Sequence, residues 1–331
     1  MTMKTLIYMS RFSYPMSDAE IDTLGKLAGE RNCVRGITGV LLCLNETFFQ
    51  ILEGETTVID ALFASIKRDV RHKDIVCLIN EVGGRTRLFP ERYMHTINLN
   101  TNTDVLVQPV KILLQQLTQS HRIIERYTQP SVMNRLMQGR DPLLMSPVRS
   151  LKAVLFADIK GFSAISERFS VEQVVCFINC YLDIVSTIVT EKGGEVTKYI
   201  GDCVMAYFDA GKVDNALYAA TKILKSCCDV RENAAPDTPE AALHVGVGID
   251  YGEVIQGNVG SSIKMDYTLL GSVVNRAQAL ERMTRVLPAL VIFSEEVKRN
   301  LSHPEKTMHL GRHLVKGVTR PVDLYGLKGP L

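Results

Sequence analysis

The 331-residue sequence contains no tryptophan, and aromatic residues make up only 7% of it. It also has almost no excess charge, because 38 lysines and arginines face 36 acidic residues and leave a formal charge of +2. Neither figure favours binding to a nucleic-acid backbone or to an anionic membrane. No apolar stretch approaches the roughly 18 residues of a membrane span, and the N-terminal apolar run is broken by Arg11 and lacks a signal cleavage site.

None of the eight cysteines shows C-x-x-C spacing, and most lie inside apolar runs. This distribution is typical of reduced core thiols in a cytosolic protein. Cys176 and Cys180 are one helical turn apart, and we predict that they pack into the core. With 46% hydrophobic and 22% charged residues the chain is globular in composition. We expect a cytoplasmic protein with no nucleic-acid and no membrane partner.

Apolar spacing over residues 4–100 predicts elements in the order β-α-β-β-α-β. Ser17 is a typical helix N-cap, and Asn45 marks a hairpin turn. The predicted elements are strand Thr5–Ser10, helix Asp18–Glu30, strands Ile37–Cys43 and Thr47–Glu53, helix Val58–Asp69, and strands Ile75–Asn80 and Met94–Leu99. This order is the ferredoxin-like pattern of an α+β domain.

Strands and helices alternate again from Leu151, which predicts a second α/β domain. Between the two domains, apolar positions predict a long helix over 104–128, and three prolines and Gly139 predict an irregular linker over 129–149. The expected organisation is therefore a domain over 1–100, a helical connector and linker over 101–149, and a domain over 150–331.

Two aspartates of the second domain stand where metal ligands are expected. Asp158 ends an apolar strand in Phe-Ala-Asp-Ile-Lys-Gly-Phe-Ser, and Asp202 lies in a turn in Tyr-Ile-Gly-Asp-Cys. Carboxylates at a rigid sheet edge can bind Mg²⁺, which lowers the pKa of a hydroxyl and neutralises a leaving phosphate. Each motif alone is weak evidence, because an aspartate in a turn is usually only a turn residue.

Taken together, F-x-D-I-x-G-F-S, G-G-E-V-T-K-Y-I-G-D-C-V-M-A and Y-T-L-L-G-x-x-V-N resemble the catalytic domain of class III adenylyl and guanylyl cyclases, over about 150–328. The resemblance implies a ferredoxin-like core and a head-to-tail dimer whose active sites lie at the interface. It also implies two Mg²⁺ (or Mn²⁺) ions held by Asp158, Ile159 and Asp202 of one chain.

By the same resemblance, the other chain supplies the nucleotide-binding residues. Lys198 and Thr268 fall at the base-selecting positions and suit adenine, because a lysine can donate to N1 and a threonine oxygen can accept from the 6-amino group. Asn275 matches the transition-state asparagine, and Lys316 matches the residue that holds the terminal phosphates. The expected substrate is ATP.

One position departs from the family pattern N-x-A-A-R-L-E, since Ala279 stands where the transition-state arginine is expected. Such arginines contribute on the order of 10³ to 10⁵ in rate in other phosphoryl-transfer systems. Arg282 lies seven residues after Asn275 on the same helical face, and we predict that it partly compensates. Arg276 lies about 100° away around the helix and is a poorer substitute. A slow enzyme, or a pseudo-cyclase that only binds nucleotide, remains the alternative.

The N-terminal domain carries a second set of motifs. Gly-Ile-Thr-Gly-Val-Leu-Leu (36–42), Phe-Phe-Gln-Ile-Leu-Glu-Gly (48–54), Asp-x-Arg-His (69–72) and Phe-Pro-x-x-x-Met (89–94) resemble the BLUF domain, a blue-light sensor, over essentially all of 4–100. The resemblance implies a flavin, FMN or FAD, between the two helices.

In this resemblance Tyr8 donates an electron to the excited flavin and Gln50 rearranges its amide hydrogen bonds. An amide suits this task because its two ends have opposite hydrogen-bonding sense. The remaining expected roles are Asn32 at the ring edge, Arg31, Arg71 and His72 near the ribityl phosphate with Asp69 supporting them, and Met94 as relay. Arg92 stands where many members carry tryptophan, so we expect no tryptophan to compete with Tyr8.

The whole chain resembles the bacterial photoactivated adenylyl cyclases, with two ferredoxin-like domains joined by a helical connector. We expect a parallel homodimer, paired through the connector helix, in which blue light activates the conversion of ATP to 3′,5′-cyclic AMP and pyrophosphate. The alternative is a light-gated nucleotide-binding pseudo-cyclase with very low turnover.

Overall fold

The structure is a computed structural model that describes residues 2–83, 87–89, 93–138, 140–315 and 321–327. The chain divides into two compact units, Met1–Leu144 and Met145–Leu331. Each unit has its own sheet and its own buried core.

Within its described residues, the first unit is built on a five-stranded sheet. Its elements are β1 (Met3–Phe12), α1 (Asp18–Val34), β2 (Thr38–Leu44), β3 (Thr47–Glu55), α2 (Thr56–Ile66), β4 (His72–Val82) and β5 (Met94–Asn98). The strand order is β4-β1-β3-β2-β5, and β2 runs parallel to β5 while the other pairs are antiparallel. The first four strands follow the ferredoxin-like order, as the sequence predicted.

Local signals place the ends of these elements. Ser17 caps α1 through a capping box, in which its N–H donates to the Glu20 carboxylate at 2.8 Å and its hydroxyl accepts from the Glu20 N–H at 3.4 Å. Asn45 and Glu46 form the β2–β3 turn with φ angles of 47° and 61°. Left-handed backbone at two successive residues matches the twist of a tight hairpin.

The connector is more helical than the sequence predicted. A 3₁₀ turn at Val105–Val107 leads into α3 (Gln108–Tyr127), as expected, but a second helix, α4 (Pro130–Met137), lies inside the predicted linker. The linker prediction was wrong there because Pro130 opens the helix. Proline is tolerated in the first turn, where its missing N–H would have no partner in any case.

Within its described residues, the second unit contains an eight-stranded sheet. Its elements are β6 (Val148–Ile159), α5 (Phe162–Arg168), α6 (Val171–Glu191), β7 (Glu195–Ile200), β8 (Cys203–Asp209), α7 (Val213–Glu232), β9 (Val245–Gly260), β10 (Met265–Leu270), α8 (Ser272–Met283), β11 (Val291–Ser294), α9 (Glu295–Arg299), β12 (Thr307–His313) and β13 (Val322–Leu327). The central order β9-β6-β8-β7 is again ferredoxin-like. Side chains of α6 and α7 share one core cluster with the sheet, and side chains of α8 share another.

Helix α6 is more apolar along its length than the sequence analysis recognised. Its 21 residues and a mean hydropathy of 1.5 make it, among the described residues, the one helix long and apolar enough to span a membrane. However, Phe177, Tyr181, Val185 and Ile188 recur at helical spacing and lie in the core of the unit. We therefore interpret α6 as a core helix.

The cysteines only partly follow the prediction. Cys43, Cys203 and Cys227 are buried, as expected, whereas Cys176 and Cys180 are exposed on α6. Helical spacing alone could not show which face of α6 these two cysteines share, and the structure places them outside the buried stripe.

Candidate functional sites

A cavity of about 200 Å³ lies between α1 and α2 on the N-terminal sheet. Met94 lies beside it in the buried cluster that also contains Tyr8. The other predicted flavin-binding residues all line the cavity: Tyr8, Arg31, Asn32, Gln50, Asp69, Arg71 and His72. The structure therefore brings together side chains from one helix, three strands and the α2–β4 turn that the sequence assigned to one site.

Tyr8 and Gln50 form the centre of this cavity. They are directly opposite each other on the paired strands β1 and β3, so their side chains point to the same face. The buried Tyr8 hydroxyl donates to Gln50 Oε1 at 2.6 Å. Burial raises the pKa of Tyr8 well above its ordinary value, so the phenol keeps its proton at neutral pH.

The α2–β4 turn supplies a second group of polar residues. Arg71 donates through Nε to the Asp69 carboxylate at 2.9 Å, and this hydrogen-bonded pair lowers the pKa of Asp69 to about 2. The His72 Nδ1 atom lies 2.7 Å from the Ser10 hydroxyl. Burial lowers the pKa of His72 to about 4, so its imidazole is neutral at pH 7.

The chemistry of the cavity fits a flavin. The Asn32 side chain is buried in its wall and has no side-chain hydrogen bond to any described residue, so its amide is available to a ring edge. Arg31 lines the cavity with a cation of the kind that pairs with a phosphate, and Arg35, which the sequence reasoning missed, lines the same cavity. Arg92 lies outside the described residues.

The predicted metal residues also come together. Asp158 ends the central strand β6, and Asp202 follows Gly201 in the β7–β8 turn, where Gly201 has a φ of 65° that favours glycine. Burial, then interaction with the Asp158 carboxyl group, raises the pKa of Asp202 to about 7, and a hydrogen bond from the Ile159 backbone acts in the opposite direction. The three residues thus lie within contact of one another.

This carboxylate pair fits a divalent cation. Asp158 Oδ1 is buried and has no hydrogen-bond partner in the described part of the chain, which is costly unless a cation or donor joins it. Among the described residues, no group of three or more His, Cys, Asp or Glu side chains could hold a metal. A metal here would therefore draw its remaining ligands from the main chain, water and the substrate phosphates.

Arg285 contacts the metal pair, and the sequence reasoning missed it. Its Nη2 donates to Asp158 Oδ2 at 2.7 Å, and its Nη1 lies 3.3 Å from the carboxylate of Glu281. Glu281 is 1% exposed, and burial, followed by the charge of Asp158, raises its pKa to about 7. The i, i+4 spacing of Glu281 and Arg285 was visible in the sequence, but the contact with Asp158 was not.

A separate cavity of about 280 Å³ contains both predicted base-selecting residues, Lys198 on β7 and Thr268 on β10. Lys198 Nζ lies 3.4 Å from Asp266 Oδ2, a partner that the sequence reasoning did not identify. Neither Asp158 nor Asp202 lines this cavity. The cavity with Lys198 and Thr268, called here the base pocket, is therefore separate on one chain from Asp158 and Asp202, the metal pair.

Helix α8 carries the predicted transition-state residues. Asn275 and Arg282 are exposed, and Arg282 forms no ion pair with a described residue. Ala279 packs against an apolar cluster, and Arg276 donates through Nε to the fully buried Asp250 at 2.7 Å. The guanidinium of Arg276 is thus already ion-paired inside its own chain. Lys316 lies outside the described residues.

Both units of the chain match known protein families. Residues 3–95 match the family "BLUF: Sensors of blue-light using FAD", and residues 148–329 match "Adenylate and Guanylate cyclase catalytic domain". A bacterial light-regulated adenylyl cyclase of known structure is 42% identical, with a TM-score of 0.88 over 98% of this chain and 93% of that chain. The chain belongs to the BLUF-coupled class III adenylyl cyclases.

Other relatives match this BLUF–cyclase over different shares of its length and of their own. The photoactivated adenylate cyclase subunit beta of Euglena gracilis is 31% identical over 306 residues, which are 91% of this chain and 35% of the relative. The chain thus spans about a third of that protein's length. The adenylyl cyclase CyaB from P. aeruginosa is 29% identical, with a TM-score of 0.50 over 56% of this chain and 98% of that chain.

Proposed function

We propose that this BLUF–cyclase converts ATP to 3′,5′-cyclic AMP and pyrophosphate and that blue light activates it. The observation that carries the proposal is the buried Asp158 Oδ1, which has no hydrogen-bond partner among the described residues and lies beside Asp202 and the Ile159 main chain. Two Mg²⁺ or Mn²⁺ ions held there would lower the pKa of the ribose 3′-hydroxyl and neutralise the leaving pyrophosphate. Asp158 and Asp202 orient these ions, and Arg285 fixes the Asp158 carboxylate from its other oxygen.

The base pocket supports ATP as the substrate. Lys198 is a donor for adenine N1, and the buried Thr268 hydroxyl can accept from the 6-amino group. Guanine would instead require an acceptor opposite its N1–H. The 3.4 Å contact with Asp266 holds the Lys198 side chain in the pocket before a base arrives.

A parallel homodimer completes the active site in this proposal. The metal pair and the base pocket are separate on one chain, which supports sites shared between two chains. Helix α3 supports pairing as well, because none of its residues is buried and Ile112, Leu113, Leu117 and Ile124 are exposed. An amphipathic helix with an uncovered apolar side is typical of a pairing surface.

The N-terminal cavity supports light sensing. A bound FMN or FAD supplies the absorption of blue light. Tyr8 stands as its electron donor, and the Gln50 amide, already bonded to Tyr8, can exchange an accepting end for a donating end. Met94 lies in the same buried cluster as Tyr8 and begins β5, the last strand before the connector, so we assign the relay to β5 and α3.

One observation favours a second candidate, a light-gated nucleotide-binding pseudo-cyclase. Ala279 occupies the arginine position, and Arg276 is bound to Asp250, which leaves Arg282 as the one exposed arginine of α8 in the described residues. Without a transition-state cation the site would bind Mg·ATP and turn it over slowly.

The deciding experiment is a cyclic-nucleotide assay in darkness and under blue light, with ATP and GTP offered separately and with Mg²⁺ or Mn²⁺. Light-dependent formation of cyclic AMP from ATP supports the cyclase. Nucleotide binding without product in either state supports the pseudo-cyclase, and a preference for GTP contradicts the roles of Lys198 and Thr268.

A further inference from the structure

A second cavity in the cyclase unit has no place in the proposed reaction. Its volume is about 420 Å³, within the usual range of small-molecule sites. It lies among the C-terminal half of α7, the start of β9 and the loop between α8 and β11. None of the residues assigned to the metal pair or the base pocket lines it.

The walls of this cavity are mostly apolar and include three basic residues. Leu224, Leu243, Leu287 and Leu290 supply apolar surface. The basic side chains are Lys160, Arg231 and His244, and no aspartate or glutamate is among the lining residues. A largely apolar cavity with a few convergent polar groups is the usual form of a ligand site.

The basic residues are held together by the backbone. The backbone N–H of Lys160 donates to the His244 carbonyl at 2.7 Å. Arg231 Nη1 lies 3.4 Å from the carbonyl of Leu243, the residue before His244. Lys160 Nζ also donates to the Thr284 carbonyl at 2.7 Å. These contacts fix the direction of both cations without neutralising either charge.

The two cations, Lys160 and Arg231, are not ion-paired within the described part of the chain, and the acidic group that acts on the pKa of Lys160, Glu281, does not line the cavity. Arg231 donates through Nη2 to Cys228 Sγ at 3.0 Å and through Nη1 to Leu243, which leaves three of its five N–H donors. A partly buried guanidinium with free donors is a site for a carboxylate, which it binds with two parallel hydrogen bonds.

We infer that this cavity binds a small amphipathic carboxylate, with its head group on Arg231 and Lys160 and its apolar part along the leucine wall. The anion supplies the missing counter-charge, and the leucines remove its hydrocarbon from water. The inference concerns binding alone and does not depend on cyclase turnover.

The test uses hexanoate as the probe, with the full-length flavin-loaded protein kept in darkness. Isothermal titration calorimetry is expected to show saturable binding of hexanoate. Hexanol and hexylammonium share the apolar chain without the negative charge, so we expect them to bind at least about tenfold more weakly. Equal binding of hexanol, or no saturable binding of hexanoate at millimolar concentration, overturns the inference.

Matched variants locate the binding site. Arg231→Gln is expected to weaken hexanoate binding about tenfold, because it removes the charge-assisted hydrogen bonds. Lys225→Gln changes an exposed lysine of the same helix outside the cavity and should leave the affinity unchanged. Lys160→Gln repeats the test from the other side of the cavity, should Arg231→Gln fail to fold by circular dichroism. Unchanged affinity in the folded cavity variants, or equal loss in Lys225→Gln, places the anion elsewhere and overturns the inference.

Discussion

In the N-terminal unit the central polar pair, Tyr8 and Gln50, is neutral and joined by a 2.6 Å hydrogen bond, whereas in the cyclase unit the central pair, Asp158 and Asp202, consists of two carboxyl groups in contact. In the first pair, the hydrogen-bonding capacity of the Tyr8 hydroxyl is satisfied by Gln50 of the same chain. The second leaves Asp158 Oδ1 buried without a hydrogen-bond partner among the described residues, and burial together with Asp158 raises the pKa of Asp202 to about 7. The difference shows a preformed pair in the first unit and an electrostatically unfinished pair in the second, whose buried oxygen has no donor or cation among the described residues.

The largest effect is expected from breaking the unfinished pair. Asp202→Asn should lower cyclic AMP formation by about 10³-fold or more, because several kcal/mol of metal-dependent stabilisation are lost. The same change should raise the unfolding temperature of the metal-free protein, because it removes a carboxyl group that burial and Asp158 keep from ionising. Product assays and calorimetry in EDTA measure the two effects.

Asp183→Asn is the matched control, since Asp183 is exposed on α6 away from the pair. It should change neither activity nor unfolding temperature. A metal-free Asp202→Asn protein that is less stable than the wild type would show that the pair is not repulsive, and the contrast between the two sites would fail.

Breaking the preformed pair should have a different result. Gln50→Leu removes the acceptor of the Tyr8 hydroxyl and the amide that would reorient, so the ratio of light to dark activity should fall to about one. Dark activity and flavin absorbance should persist, because the cyclase residues are untouched. Full light activation of a flavin-loaded Gln50→Leu protein would contradict the assigned role.

The fold of both units could be predicted because local signals agreed with each other. The Ser17 capping box and the Asn45 turn mark ends of elements in the first unit, and the Ser170–Gln173 capping box begins α6. The cavity residues of the first unit, and the pair Asp158 and Asp202 of the second, come from separate motifs that the fold brings together. The family resemblance supplied the roles, which spacing alone did not.

What the sequence did not show are contacts between distant positions. Arg285 reaches Asp158 across 127 positions, and Asp266 lies beside Lys198 across 68 positions, so no local pattern records either contact. Helix α4 was missed for another reason, since a proline that opens a helix and one that breaks it look alike without the tertiary contacts around them.

A variant of Arg282 tests whether this residue replaces the arginine that is missing at Ala279. Arg282 is exposed on the same helical face as Asn275 and has no ion pair with a described residue, so in the proposed dimer it is available to the phosphates of a bound nucleotide. Arg282→Ala should lower kcat by roughly 10- to 100-fold, less than a fully placed transition-state arginine contributes. Arg299→Ala, an exposed arginine on α9, is the control. Unchanged turnover in Arg282→Ala would end the compensation hypothesis.

The smallest effect concerns the preformed site, where His72 is buried as a neutral ring. Its pKa is lowered to about 4 by burial, while the charge of Asp69 favours the protonated form and that of Arg71 opposes it. The unfolded chain has the ordinary histidine pKa of about 6.5, so between these values it binds a proton that the folded unit does not. Stability is therefore fully present above about pH 6.5 and decreases as the pH falls towards 4.

Between pH 7.5 and pH 5 this linkage should cost the N-terminal unit roughly 2 kcal/mol. Hydrogen exchange of the β1 and β3 amides in the flavin-free protein measures the loss, since these strands report the first unit and no flavin phosphate then lies near His72. His72→Gln keeps a neutral hydrogen-bonding group near Ser10 and should remove most of the pH dependence while lowering stability at pH 7.5 only slightly. An equally steep loss of stability with falling pH in His72→Gln would mean that another buried group of the first unit has a shifted pKa. The polar groups around the Tyr8–Gln50 hydrogen bond would then be less completely paired than that bond indicates.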